Sequence, residues 1–144
     1  MPYQFKHSPG RLSQDLSQAF GRKLHEEIKK QQLDVRIPEW STLSFLTHEK
    51  RANQKEIGAF LGQEKVFVKR TLDRMESRGW IVRTKDPVDK RYNQVAMTPE
   101  GEKVFQQIAP LAQKTIKKAR KGIPSSLFEK FKEVSNQMIK NLES

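Results

Sequence analysis

The chain has 144 residues and no cysteine. That length suits one domain, and the missing thiols exclude disulfides, thiolate metal centres, a cysteine nucleophile and thiol redox sensing. Lys and Arg number 28 against 17 Asp and Glu, a formal net charge of +11, which favours a polyanionic partner, nucleic acid ahead of a membrane surface. No apolar run nears the ~20 residues of a membrane span, and Met1 to Gly10 lacks the apolar stretch of a secretory signal. A soluble, cytoplasmic protein is therefore expected. Residues 1–49 carry 7 basic and 6 acidic groups, residues 50–98 carry 12 and 6, and residues 99–144 carry 9 and 5. The middle third is the expected contact surface.

In chain order, Ser8-Pro9 reads as an N-cap followed by proline at the first helical position. Leu12, Leu16, Phe20, Leu24 and Ile28 then recur every four residues, which predicts a helix over about 10–32. A connector, Leu33 to Ile37, leads to a second helix opened by Pro38 and carrying Trp40, Leu43, Phe45 and Leu46. Asn53 and Glu56 have the spacing of a capping box, starting a third helix over Gln54–Leu61 with Ile57 and Leu61 inward. Gly62 and Gln63 break it, and a fourth helix follows from about Glu64 to Arg78, stopped by Gly79. Two helices joined by a short Gly-containing turn predict a helix-turn-helix.

The period then changes. Trp80–Lys85 and Tyr92–Thr98 are β-rich and flank Asp86-Pro87-Val88-Asp89-Lys90-Arg91, a turn by its Pro and Asp content, so a β-hairpin with a charged tip is expected. Thr98-Pro99-Glu100 caps a fifth helix that Pro110 should kink or split. Gly122-Ile123-Pro124 ends it, and Ser126 with Glu129 should cap a sixth helix carrying Leu127, Phe131, Val134, Met138 and Leu142.

On the fourth helix, stepping 100° per residue from Val68 groups Leu61, Leu72, Met75 and Gly79 on one face. Gln63, Val66, Arg70, Arg74 and Ser77 fall opposite, with Phe67 beside them and Lys65 and Lys69 at the flanks. Such a face suits the major groove, where Arg pairs bidentately with guanine and an apolar tip meets a thymine methyl. Border lysines suit phosphate. Arg70 is the strongest candidate for a base contact; Val66 and Phe67 could instead pack on a neighbouring element. Lys90 and Arg91 at the hairpin tip suit the adjacent minor groove. Asp86 and Asp89 would orient that tip, one carboxylate pairing with Arg91 or capping the turn.

These strings resemble the MarR family of winged-helix transcription regulators. The resemblance rests on Gln54-Lys55-Glu56-Ile57, on the run Arg70-Thr71-Leu72-Asp73-Arg74-Met75-Glu76-Ser77-Arg78-Gly79-Trp80-Ile81-Val82-Arg83, on Asp86 to Arg91, and on Met97-Thr98-Pro99-Glu100-Gly101. Pro38-Glu39-Trp40 fits the start of the family's second helix. The implied fold is mainly α: about six helices and a small β-hairpin wing, in an intertwined homodimer joined through the N- and C-terminal helices. One domain over 1–144 is implied, with 1–36 and 99–144 as dimerisation arm and 38–98 as the winged helix-turn-helix lobe. The implied function is a sequence-specific regulator, most often a repressor, of double-stranded DNA at a pseudo-palindromic operator. A small aromatic or phenolic ligand is implied as its effector; Phe20 and Trp40 lie on segments that line the family's pocket, though such residues are more often plain core. Val66-Phe67 departs from the small polar pair common in the family.

Two other readings stay open: a low-specificity architectural DNA protein, carried by charge alone, and a protein-interaction module docking through Val66-Phe67. Catalysis is not expected, since no phosphate-binding glycine loop, no GxSxG and no glycine fingerprint is present. No cofactor and no metal are expected, because His7, His25 and His48 are scattered and complete no HExxH.

Overall fold

The computed structural model describes residues 2–89 and 93–144. Lys90 and Arg91, assigned to the hairpin tip, lie outside the described residues. A single 3-10 turn, Phe5–His7, leads into α1 (Pro9–Lys30), whose N-cap is Ser8: its hydroxyl accepts the Arg11 N–H at 3.2 Å. The elements that follow are α2 (Ile37–Glu49), β1 (Arg51–Asn53), α3 (Gln54–Leu61), α4 (Lys65–Ser77), β2 (Ile81–Lys85), β3 (Asn93–Met97), α5 (Pro99–Ala119) and α6 (Ser125–Glu143).

The capping box at α3 is formed in full. The Asn53 side chain accepts from the Glu56 N–H at 2.8 Å, and the Glu56 carboxylate accepts from the Asn53 N–H at 3.0 Å. Gly62, at φ +64, supplies the left-handed residue that ends α3 and turns the chain into α4. The core lies where α2, α3, α4 and the sheet meet, around Leu43, Leu46, Ile57, Leu72, Met75 and Ile81, all 1% exposed or less.

Three features depart from expectation. The wing is a three-stranded antiparallel sheet in the order β1-β3-β2, with Ala52 and Arg83 both opposite Val95. β1 has only three residues between α2 and the α3 cap, too few to show a period of two. Second, Pro110 does not split α5, which continues through it as one helix. Proline removes the bond to the Gln106 carbonyl, and both residues are on the exposed side of the helix, where water can reach that carbonyl. Third, Ser126 does not cap α6. Pro124 is the N-cap, at φ −60 and ψ 145, and its carbonyl accepts from the Leu127 and Phe128 N–H groups. Proline's fixed φ already suits that boundary residue, so the helix begins ahead of Ser126.

The junction of wing and α5 is tight. A Cβ at Gly101 would lie 2.1 Å from the Trp80 carbonyl oxygen, so only glycine lets α5 begin against the residue that leads into β2. By contrast α6 buries no residue, and Leu12 and Leu16 of α1 are 52% and 43% exposed. The facing sides of α1 and α6 leave an open apolar groove of about 430 Å³.

Between α1 and α5 sits Glu27, 5% exposed, its carboxylate 3.2 Å from both Lys114 and Lys23 and 3.5 Å from Lys30. The hydrogen bond from Lys114, then that from Lys23, hold its pKa at about 2, below the ordinary 4.5. A folded pKa below the unfolded one gives stability that is complete above 4.5 and is lost as pH falls toward 2. Glu27→Gln is therefore expected to melt below wild type at neutral pH, with the two curves converging as pH is lowered through that window. Circular-dichroism melts across pH check this; a difference independent of pH contradicts it.

Candidate nucleic-acid interface

α4 divides into two faces. Val68, Thr71, Leu72 and Met75 are buried, pressing the helix onto the core. Gln63, Lys65, Val66, Phe67, Lys69, Arg70 and Ser77 are exposed on the other side and on the turn before it. Val66 and Phe67 are 63% and 40% exposed, so neither is absorbed by a neighbouring element.

Arg74 does not join that face. Its Nε lies 2.9 Å from the Glu39 carboxylate, and its terminal nitrogen 3.0 Å from that of Asp34. Glu39, on the first turn of α2, is 1% exposed. A carboxylate buried that deeply requires a counter-charge, and the long arginine side chain bends inward to supply it. A helical projection cannot register an acid on another element.

Other cations of the middle third are also held. Arg78 meets the Asp34 carboxylate at 2.6 Å, and this bond first of all keeps that carboxyl below its ordinary range. Arg83 on β2 bridges Asp73 and Glu76 of α4 at 2.6 and 2.9 Å, fastening the wing to the helix. Lys69 shares Asp73 at 2.8 Å. Among the described residues, Lys55, Lys65, Arg70 and Lys85 have no carboxylate within the 4.0 Å of an ion pair. Cations free to meet a polyanion therefore remain on α3, α4 and the wing.

Asp86 fixes the turn after β2. One carboxylate oxygen accepts the N–H groups of Val88 and Asp89 at 2.8 and 3.0 Å, and the other accepts the Gln94 amide at 2.8 Å. The Asp89 N–H, then the Gln94 amide, hold the Asp86 carboxyl below its usual range. Asp86 thus caps the turn, and Asp89 contributes its backbone to that cap.

Beside α4 lies a cleft of about 540 Å³, floored by Gly58, Ala59 and Val68 and rimmed by Gln54, Lys55, Lys65 and Asn93. Gln54, Lys55 and Asn93 extend the candidate surface beyond the residues read from sequence. Lys55 was visible as a basic residue beside the capping box; Asn93 joins only because β3 brings it to the end of α4.

Phe20 and Trp40 line a separate cavity of about 340 Å³ between α1, α2 and α5, together with Ser17, Ser41 and Thr115. Trp40 stacks on Phe105 of α5 with centroids 5.3 Å apart. Among the described residues there is no group of three His, Asp or Glu placed to hold a metal ion. No described helix is long and apolar enough to cross a membrane.

Comparison with known proteins places these features in a lineage. A family model described as the MarR family matches residues 33–91. An uncharacterised HTH-type transcriptional regulator of Bacillus subtilis, YwoH, is 31% identical over 108 residues, 75% of this chain and 76% of that protein. Among solved structures, a mutant MarR from E. coli complexed with operator DNA superposes with a TM-score of 0.80 at 22% identity, covering 95% of this chain and 99% of that one. BpsR of Bordetella bronchiseptica, whose DNA binding is regulated by 6-hydroxynicotinic acid, gives 0.79 at 18% identity over 96% and 97%.

Removing the Asp86 carboxylate should free the turn without disturbing the core. For Asp86→Ala, amide exchange at Val88 and Asp89 is expected to rise roughly five- to tenfold, as the loss of one ordinary hydrogen bond implies. Exchange at Leu72 should not change. Unaltered exchange at Val88 and Asp89 would contradict the role given to Asp86.

Proposed function

The chain belongs to the MarR family of transcriptional regulators, and on that premise we propose that it is a homodimeric, sequence-specific DNA-binding repressor of a pseudo-palindromic operator. The observation that carries this reading is the exposed face of α4. Arg70 stands there free of any carboxylate among the described residues, on the same exposed side as Val66 and Phe67, with Lys65 and Lys69 to one side. A free guanidinium reads guanine, apolar tips meet thymine methyl groups, and flanking ammonium groups hold phosphate. Gln63, Lys55 and Asn93 border the same surface. In this reading Lys90 and Arg91 enter the neighbouring minor groove, aimed by the turn that Asp86 and Asp89 build, while Arg74 acts from behind the helix.

The apolar groove between α1 and α6 supports the dimer. Leu12, Leu16, Phe131, Val134 and Met138 line it and are each more than 40% exposed, more apolar surface than a small monomer normally leaves in water. Residues 1–36 and 99–144 then form the arm and residues 38–98 the reading lobe, two-fold symmetry setting half-sites about one helical turn apart. A small aromatic ligand in the cavity of Phe20 and Trp40 releases the DNA. The operator complex of the E. coli mutant and the ligand-regulated DNA binding of BpsR lend support. Such a repressor works in the cytoplasm, beside its DNA. Internal pairing of Arg74, Arg78 and Arg83 weighs against an architectural protein held by charge alone.

Arg70→Ala is expected to lose roughly 1–3 kcal/mol of discrimination at one base pair per half-site and little elsewhere. Titration against single-base operator variants checks it; an equal loss on every sequence would reduce Arg70 to a phosphate contact. Phe131→Glu is expected to sediment as a monomer where wild type sediments as a dimer. A monomeric wild type, or a variant that stays dimeric, contradicts the assigned interface.

A further inference from the structure

The first turn of α2 has two working sides. Ile37, Trp40 and Ser41 form part of the cavity wall. Glu39, between them, points away from the cavity toward α4, where it meets Arg74 at 2.9 Å. Its other oxygen accepts the Arg36 N–H at 2.8 Å, locking the carboxylate to the start of the helix. In the connector just before, Asp34 grips Arg74 at 3.0 Å and Arg78 at 2.6 Å with its carboxylate, and its carbonyl accepts from both guanidinium groups. One short segment therefore walls the cavity on one side and holds the back of the recognition helix on the other.

The buried pair within this segment is unusual in its geometry. Arg74 Nε and Glu39 Oε2 are buried side-chain atoms with no aligned hydrogen-bond partner, and among the described residues they are the two atoms of which this is true. They attract as charges at 2.9 Å yet do not meet as donor and acceptor. Nearly all buried polar atoms in native proteins are hydrogen-bonded, so a misaligned charge pair calls for a reason. Charge attraction at 2.9 Å is what joins α2 to α4 at this point.

We propose that this segment relays occupancy of the cavity to the recognition helix, with Glu39 and Asp34 as positioning residues that set α4 through Arg74 and Arg78. The proposal rests on the reading of the cavity as the effector site and assigns its route to DNA. A molecule entering between α1 and α5 presses on Ile37, Trp40 and Ser41. Displacing their turn moves Glu39 and Asp34, and the charges they hold carry α4 with them, turning Arg70 away from its base. The coupling is reciprocal, so a duplex that fixes α4 also tightens the cavity.

Gly21 provides a test that needs no identified ligand. It lines the cavity from α1, and a Cβ built on it meets no atom within 4 Å, so Gly21→Leu fills the space from inside. Binding is measured to a duplex enriched by the wild-type protein from a randomised pool. Gly21→Leu is expected to weaken it about tenfold, within the ordinary range of coupling between sites. In the Glu39→Gln/Arg74→Met/Arg78→Met background, where the links from α2 and the connector to α4 are removed without orphaning a buried charge, the same filling should cost less than about twofold. Melting curves on each variant confirm folding, and Ala112→Phe fills the cavity from α5 if Gly21→Leu fails to fold. Equal weakening in both backgrounds overturns the relay while leaving the cavity an effector site. No weakening by either filling overturns that site and the relay together, and failure to enrich any duplex overturns the DNA-binding reading itself.

Discussion

Glu39 places a carboxylate almost out of reach of solvent, and a charge in that position has to be met by an opposite one. Arg74 meets it from the helix whose far side faces outward. The rest of the architecture is arranged about this contact. It fixes α4 against the start of α2, it draws in Asp34 and through Asp34 engages Arg78, and it takes from the exposed face an arginine that would otherwise compete for phosphate. Apolar packing through Val68, Leu72 and Met75 seats the helix on the core, and the ion pairs tie its back to α2 and the connector.

The same economy of charge runs through the lobe. Twelve basic groups in residues 50–98 look like one undifferentiated patch in sequence. In the fold, Arg74, Arg78 and Arg83 are structural, tying α4 to the connector and to β2. Lys55, Lys65 and Arg70 are left on the surface that a duplex would meet. Internal pairing thus separates arginines that hold α4 in place from cations left exposed, and under the proposed function the exposed ones do the reading. The proposed relay would act on α4 through these same internal pairs.

Much of this was legible before folding. The box at Asn53 and Glu56, the break at Gly62 and the stop at Gly79 are local chemistry, so the bounds of α3 and α4 follow from a few adjacent residues. The buried and exposed faces of α4 follow from helical period alone. What escaped depended on partners distant in sequence. Arg74 turns inward because of Glu39, thirty-five residues before it. β1 exists because β3 offers it an edge, since three residues have no strand signature of their own. Pro110 does not split α5, and the carbonyl it leaves unbonded, on Gln106, is on the exposed side. Ser126 lost the cap to Pro124, where two sound local signals competed two residues apart. The Phe20 and Trp40 cavity was placed by resemblance to the family, with no sequence period to reveal it.

The account stands or falls on α4 as a reader of base sequence, and the most direct measurement is a specificity ratio. Duplexes are enriched from a randomised pool at near-physiological salt, footprinted, and their affinity compared with that of unselected duplex. A two-fold symmetric footprint with a preference of about 10³ or more is the result predicted for a specific dimeric regulator. Diffuse protection with a ratio near unity would contradict it, reducing the exposed face of α4 to a site of charge alone.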